Sequence, residues 1–377
     1  MNAITRKNRH LLMQITSIDI YKYSIPMVPF TIATGTMHYA QNLLIRVHTN
    51  EGITGTGECS AFPMIVGETQ ATCFEMAKEF AAIWKQKDPL DITTRMQELD
   101  LFTARNYTAK SAFDLALHDI AAQHAGQPLY AFLGGSRKPI ISDLTIGIDS
   151  PEAMAKQAIA FVENGVETIK VKLGKNAADD IERIKAIRDA IGYSAAIRID
   201  ANQGWTYEDA VTALTELGKY KIEFCEQPMR TYNDELLPAL CKISPIPIMA
   251  DESVYTHQDA ERIIRNNACH FINIKFAKSG GIAEATRINE VAEKNNIPCM
   301  MGGMLESRLA LTAKVHFAMS RKNIVFYDLD TCLLGHKVDP VTEGVQYKGL
   351  ELILSDQPGI GASVDPEFLS GLETISI

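Results

Sequence analysis

The sequence predicts an α/β protein: an eight-stranded (β/α) barrel of the TIM type, preceded by an α+β domain. Three observations carry this. Apolar, strand-like runs recur about every 25 residues, the length of one strand plus one helix. Each ends in a polar residue: Lys172, Asp200, Glu226, Asp251, Lys275 and, two steps further on, Asp328. Helical periodicity separates most of these runs, whereas the N-terminal third reads as a hairpin followed by a long helical pattern.

Taken in order, residues 14–60 read as antiparallel β. Gln14 to Tyr23 alternates, and Asn42 to His48 and Gly52 to Glu58 flank the turn Asn50-Glu51-Gly52. Between them lies an apolar and small-residue stretch, Pro26 to Met37, and a second irregular piece runs from Cys59 to Glu68. Gly55-Thr56-Gly57 resembles the start of a dinucleotide fingerprint, but no helix follows at once, so turn and bulge duty is expected. From Thr69 to Gly126 the spacing is helical, and residues up to about 136 form the α+β domain. The barrel strands are expected at Leu144–Ile148, Thr168–Leu173, Ala196–Asp200, Ile222–Glu226, Ile246–Asp251, Phe271–Lys275, Pro298–Met301 and Ile324–Asp328. After Leu334 the period is lost, and residues 335–377 read as loops and short strands that return to the first domain.

Composition narrows the function. The net charge is −9, from 37 basic and 46 acidic residues, and the one basic run is the short Arg6-Lys7-Asn8-Arg9, so neither nucleic acid nor an anionic membrane is an expected partner. Seven cysteines without a C-x-x-C spacing fit a reduced cytoplasm, and the polar first dozen residues, with Met13 as an alternative start, lack the apolar core of a signal peptide.

The strand ends carry the chemistry, because barrel active sites lie at the C-terminal ends of the strands. Asp200, Glu226 and Asp251 end three consecutive strands and converge on one point; three hard oxygen donors on rigid elements suit Mg²⁺. Each alone reads as a salt bridge or a helix cap; together, beside lysines, they read as a metal site. In Thr168-Ile169-Lys170-Val171-Lys172 the two lysines share a face, and their mutual repulsion is expected to lower a lysine pKa toward neutrality. Lys172 and Lys275 lie on strands two and six and face each other across the ring. A base on each side of a substrate carbon can remove a proton from one face and return it to the other, while the metal neutralises the charge that builds on a neighbouring carboxylate. The alternative for Lys275 is an ion pair with Asp251 or Glu252, and Lys278 reads as a solvated loop charge.

The order Lys-x-Lys, Asp, Glu, Asp, Lys on strands two to six resembles the enolase superfamily in its muconate-lactonising subgroup, and Ala109–Ala122, with Asp114 and Asp119, resembles that family's capping-helix signature. The resemblance covers nearly the whole chain. It implies a modified (β/α)7β TIM-type barrel (residues 137–334), an α+β capping domain (1–136) and a C-terminal return to the cap (335–377). It further implies Mg²⁺ on Asp200, Glu226 and Asp251, Lys172 and Lys275 as the acid/base pair, and Lys170 assisting Lys172 and the substrate carboxylate.

The family alone leaves the reaction open among cycloisomerisation, o-succinylbenzoate synthesis, N-acylamino-acid racemisation and dipeptide epimerisation. Asp328-Leu329-Asp330 puts two carboxylates on one face at the end of the last strand, as in dipeptide epimerases, where a substrate ammonium would meet them. In epimerases acting on Ala-Glu a capping-loop arginine holds the glutamate side chain; aligning Pro29–Thr36 to that loop places Gly35 at its position. Phe30, Ile32 and Ile65 are then available for an apolar side chain, and the expected activity is epimerisation of Ala-X dipeptides with X small or hydrophobic. Other readings are an N-acylamino-acid racemase or o-succinylbenzoate synthase, a Schiff-base lyase using Lys172, and a binding barrel without turnover. Barrels of this kind often self-associate, so a homo-oligomer stays open.

Overall fold

The computed structural model describes residues 13–377; Arg6-Lys7-Asn8-Arg9 and the rest of the polar first dozen lie outside them. The chain starts with an antiparallel sheet of β1 (Ile15–Ile32), β2 (Gly35–Thr49) and β3 (Thr54–Ser60). Helices Gln70–Trp84, Ile92–Phe102 and Tyr107–His124 cover one face, with Phe74, Phe80, Trp84, Phe113 and Leu117 packed on Ile18, Ile20, Leu43 and Ile45. The glycines of the Gly55-Thr56-Gly57 motif lie inside β3 rather than in a turn. A Cβ on Gly57 would stand 1.8 Å from the Ala112 carbonyl oxygen, and one on Gly55 2.1 Å from that of Ala116, so both glycines let the helix lie directly on the strand. Gly57→Ala should therefore destabilise the protein by about 3 kcal/mol, the upper end of overpacking, because backbone is the obstacle. A urea midpoint within error of the wild type would refute this.

The Pro26–Met37 stretch is also strand. β1 and β2 continue as a long hairpin, with a register irregularity between Pro26 and Phe30, and turn at Ala33 and Thr34. The backbone bond from Ile148 N to Thr31 O (2.9 Å) ties this extension to the loop after the first barrel strand.

The barrel consists of β4 (Leu144–Ile146), β5 (Thr168–Lys172), β6 (Ala196–Asp200), β7 (Ile222–Glu226), β8 (Ile248–Ala250), β9 (Phe271–Ile274), β10 (Cys299–Gly302) and β11 (Ile324–Asp328). All are parallel and in sequential order. Helices Pro151–Glu163, Ala177–Ile191, Tyr207–Leu217, Leu237–Ile243, His257–Arg265, Ile282–Lys294 and Arg308–Ser320 connect them, which makes a (β/α)7β barrel among the described residues. No ladder joins β11 to β4; the seam is closed by Asp143 N to Tyr327 O (3.1 Å), Thr145 N to Asp330 Oδ2 (2.7 Å) and Leu329 N to Ser142 Oγ (2.8 Å). Inward positions alternate along each strand. Phe224, Met249, Met300, Phe271 and Phe326 form an apolar plug inside the barrel, and the next inward positions on β7, β9 and β11 are polar.

Past the barrel, β12 (Gln346–Lys348) and β13 (Glu351–Ile353) pair with each other, and β14 (Glu373–Ser376) joins the free edge of β1. Buried carboxylates lock cap to barrel. Glu58 accepts from Ser307 Oγ (2.6 Å), Ser307 N (2.8 Å) and Ala310 N (3.0 Å) at the start of helix Arg308–Ser320. Asp114 accepts from Ile282 N (2.5 Å), and Asp119 from Thr56 N (2.9 Å) and Ile360 N (2.7 Å). Each satisfies a backbone donor that burial would otherwise strand. No helix among the described residues is long and apolar enough to cross a membrane.

Candidate active site

Three carboxylates stand at consecutive strand ends at the top of the barrel. Asp200 and Glu226 are the last residues of β6 and β7, and Asp251 lies one residue beyond β8; all three are fully buried. Lys170 and Lys172 share the inner face of β5, and Lys275 follows β9 directly. Lys170 Nζ lies 2.6 Å from Asp328, 2.7 Å from Glu226 and 3.2 Å from Asp200, and Lys172 Nζ lies 2.6 Å from Asp200. Lys275 Nζ lies 2.8 Å from Asp251 and 4.0 Å from Glu226, so the ion pair with Asp251 is present.

At Lys170 the electrostatics run opposite to the sequence expectation. Burial alone would lower the Lys170 ammonium, but Asp328, Glu226 and Asp200 hold it well above the usual lysine range. Lys275 is raised in the same way, against its own burial, by Asp251 and Glu226. Carboxylates at contact distance outweigh repulsion between ammonium groups. The carboxyls divide among themselves. Asp200 and Asp251 are held low, against burial, by their lysines, whereas burial and the Asp200 charge push Glu226 up to about 7.

One correction follows. Lys278 is no solvated loop charge: it is fully buried, with Nζ 2.7 Å from Asp251 Oδ1 and 3.0 Å from the Asn273 carbonyl. It lies one helical turn after Lys275, on the single turn Phe276–Ser279, and that spacing was the available signal. Lys170, also fully buried, is enclosed by its three carboxylates.

A cavity opens between barrel and cap. Lys172, Lys275, Asn202 and Thr145 line its barrel side with Asp328 and Asp330, and Phe30, Ile32, Phe62 and Ile65 line its cap side. Residues from the β1–β2 hairpin, the turn Pro63–Val66 and the ends of β4, β5, β6, β9 and β11 thus face one space. Gly35 lies in the hairpin, and a side chain there would meet the Met64 sulfur, 2.8 Å from where its Cβ would stand.

Asp200, Glu226 and Asp251 form an all-oxygen set. Glu226 Oε2 and Asp251 Oδ2 are buried and lack a hydrogen bond of good geometry, facing only the ammonium groups of Lys170 and Lys275. Buried carboxylate oxygens left without neutral donors suit a hard divalent cation such as Mg²⁺. Among the described residues the acidic trio whose ligand atoms all lie within 4.8 Å of one another is Asp143, Asp328 and Asp330, not the Asp200, Glu226 and Asp251 set. Both sets already carry ion pairs: Asp143 with Arg198 (2.8 Å) and Asp328 with Lys170 (2.6 Å), as Asp200 with Lys172 (2.6 Å), Glu226 with Lys170 (2.7 Å) and Asp251 with Lys275 (2.8 Å). Asp330 pairs with neither Arg198 nor Lys170, and burial, followed by the Asp328 charge, pushes its carboxyl up to about 7. Asp143 was not singled out in the sequence, because it precedes its strand instead of ending it.

A capped (β/α)7β barrel with carboxylates and opposed lysines at its strand ends defines a class of proton-moving barrel enzymes, and the comparisons name the family. Residues 15–134 match the mandelate racemase / muconate lactonizing enzyme N-terminal domain, and residues 153–368 match the enolase C-terminal domain-like family. The chain belongs to this family, within the enolase superfamily. It is 44% identical over 97% of its length to a D-Ala-D/L-Ala epimerase of Cytophaga hutchinsonii, which is covered completely. A dipeptide epimerase structure from that organism, complexed with Mg and D-Ala-L-Val, superposes with a TM-score of 0.95 at 43% identity, covering 97% of this chain and 100% of that one. A dipeptide epimerase from Enterococcus faecalis, complexed with Mg and L-Leu-L-Tyr, superposes with a TM-score of 0.90 at 38% identity, over 93% and 99% of the two chains. An L-Ala-D/L-Glu epimerase of Bacillus subtilis is 35% identical over 93% of this chain and 96% of its own length.

Proposed function

We propose that this protein is a Mg²⁺-dependent dipeptide epimerase that inverts the α-carbon of the second residue of Ala-X dipeptides, X being small or hydrophobic. One observation carries the reading: Lys172 and Lys275, from opposite sides of the ring, line a single cavity with Asp328 and Asp330 at one part of its wall and an apolar cap at another. The family relationship to Mg-bound dipeptide epimerases supports it.

The residues divide the work. Asp200, Glu226 and Asp251 would hold Mg²⁺, which when bound supplies positive charge next to the substrate carboxylate as the α-carbon loses its proton. Lys172 takes the proton from one face and Lys275 delivers one to the other; for the opposite epimer the roles exchange. Lys170 holds Asp200, Glu226 and Asp328 in place and, as the family relationship implies, assists Lys172 and the substrate carboxylate. Asp328 and Asp330 receive the substrate ammonium, and Asp330, which lacks a cation of its own, gains most from it. The side chain of X meets Phe30, Ile32 and Ile65, where each Å² of apolar surface buried contributes about 25 cal/mol. A carboxylate there finds no arginine at Gly35 and is desolvated without a partner, at several kcal/mol.

Comparing kcat/KM for Ala-Ala, Ala-Val and Ala-Glu tests this specificity: the first two should exceed Ala-Glu by about 10²-fold or more, the effect of one unpaired buried charge. A preference for Ala-Glu would overturn it. N-acetylation of a good substrate should abolish turnover, because Asp328 and Asp330 then face a neutral amide. Retained turnover would favour N-acylamino-acid racemisation instead, the activity type of an N-succinyl-L-Arg/Lys racemase from Bacillus cereus that is 31% identical over 96% of this chain.

A further inference from the structure

The active-site cavity shares one wall with a much larger space. The turn Pro63–Val66 carries Ile65, which lines the cavity on one side and a cleft of about 1350 Å³ on the other. This cleft separates the cap from the barrel, and Glu68 and Tyr255 stand on its two banks.

Left to itself the turn would not hold its place. It is four residues long, closed by Ile65 N and Val66 N to Phe62 O (2.9 Å each) and by Gly67 N to Pro63 O (3.0 Å), and a helix this short is marginal in water. Gly67 ends it in the left-handed region at φ +77°. Two anchors fix it from outside. Toward the cap, Glu68 accepts from Thr108 N (3.0 Å) and Ala109 N (3.4 Å). Toward the barrel, Tyr255 donates its hydroxyl to the Ile65 carbonyl oxygen at 2.7 Å. The Tyr255 ring is itself held, 6.1 Å from the Tyr107 ring and 5.9 Å from Lys278 Nζ, the ammonium that grips Asp251. The residue that meets substrate is therefore positioned through its own backbone by a barrel side chain that does not line the cavity.

We propose that Tyr255 is a positioning residue for substrate selection. Its hydrogen bond sets how far Ile65 projects into the cavity, and so how large a side chain fits at the epimerised carbon. The cleft behind the turn is the space into which Ile65 withdraws when that bond is absent. The selection half of this inference rests on the dipeptide reading above; the anchoring half does not.

Tyr255→Phe removes the hydroxyl and keeps the ring against Tyr107 and Lys278. In the full-length variant without substrate, amide hydrogen exchange across residues 63–67 should accelerate by about tenfold, the effect of one lost hydrogen bond. The ratio of kcat/KM for Ala-Phe to that for Ala-Ala should rise by about fivefold or more, chiefly through KM, since pocket size discriminates on that scale. A purely structural role would lower both substrates alike and leave the ratio unchanged. Exchange equal to wild type overturns the anchor, and an unchanged ratio with faster exchange overturns the selection role. If the wild-type protein epimerises no dipeptide, the dipeptide reading fails by itself, and the exchange measurement still decides the anchor.

Discussion

Lys172→Ala and Lys275→Ala should each abolish epimerisation, lowering kcat by about 10²–10⁴-fold or more, the range carried by one positioned acid or base. The loss should be stereochemically split. Each lysine reaches one face of the α-carbon, so in D₂O each variant should wash deuterium into one epimer of an Ala-X substrate and leave the other untouched. Both lysines make short ion pairs to fixed carboxylates, Lys172 to Asp200 (2.6 Å) and Lys275 to Asp251 (2.8 Å), which aim their amines at the cavity. Asp200 keeps Lys170 (3.2 Å) and Asp251 keeps Lys278 (2.7 Å) when its other lysine is removed, so the fold should persist, and thermal unfolding followed alongside activity separates misfolding from lost chemistry. A single variant that still interconverts the epimers would sink the two-base assignment.

Removal of metal should have an effect of similar size. Chelation with EDTA should take activity to background, and Mg²⁺ should restore it, because the charge developing on the substrate carboxylate then has no divalent partner. Glu226→Gln should weaken binding of Mn²⁺, used as a spectroscopic substitute, while the fold persists, since the Asn273 contact at 2.7 Å involves only one oxygen of the side chain. Direct titration of the metal keeps this test independent of turnover. Full activity in protein shown to be metal-free would refute the assignment, as would undiminished Mn²⁺ binding by the Glu226 variant.

Much of this was legible in the chain. Period-two alternation puts Lys170 with Lys172 and Asn273 with Lys275 on one face, because successive side chains of a strand point to opposite sides. The recurrence of a polar residue at the end of each apolar run reports the barrel mouth, because active sites form there. Expected strands matched the structure at Ala196–Asp200, Ile222–Glu226 and Ile324–Asp328, while Asp251 and Lys275 lie just past the ladders, at strand ends where pattern carries least information.

What the linear pattern left undetermined depends on contacts between distant segments. The glycines of β3 look like turn residues until helix Tyr107–His124 is laid across them. Lys278 looks solvated until its turn folds back over Asp251, and the three carboxylates that surround Lys170 come from three other strands. Asp143 and Tyr255 give no local signal, since one acts across the barrel seam and the other across the cap–barrel cleft. Local periodicity determines which face a side chain takes and where an element ends. The charge state of a buried lysine and the position of a cap residue depend on what packs against them from elsewhere in the chain, and the sequence does not write those neighbours side by side.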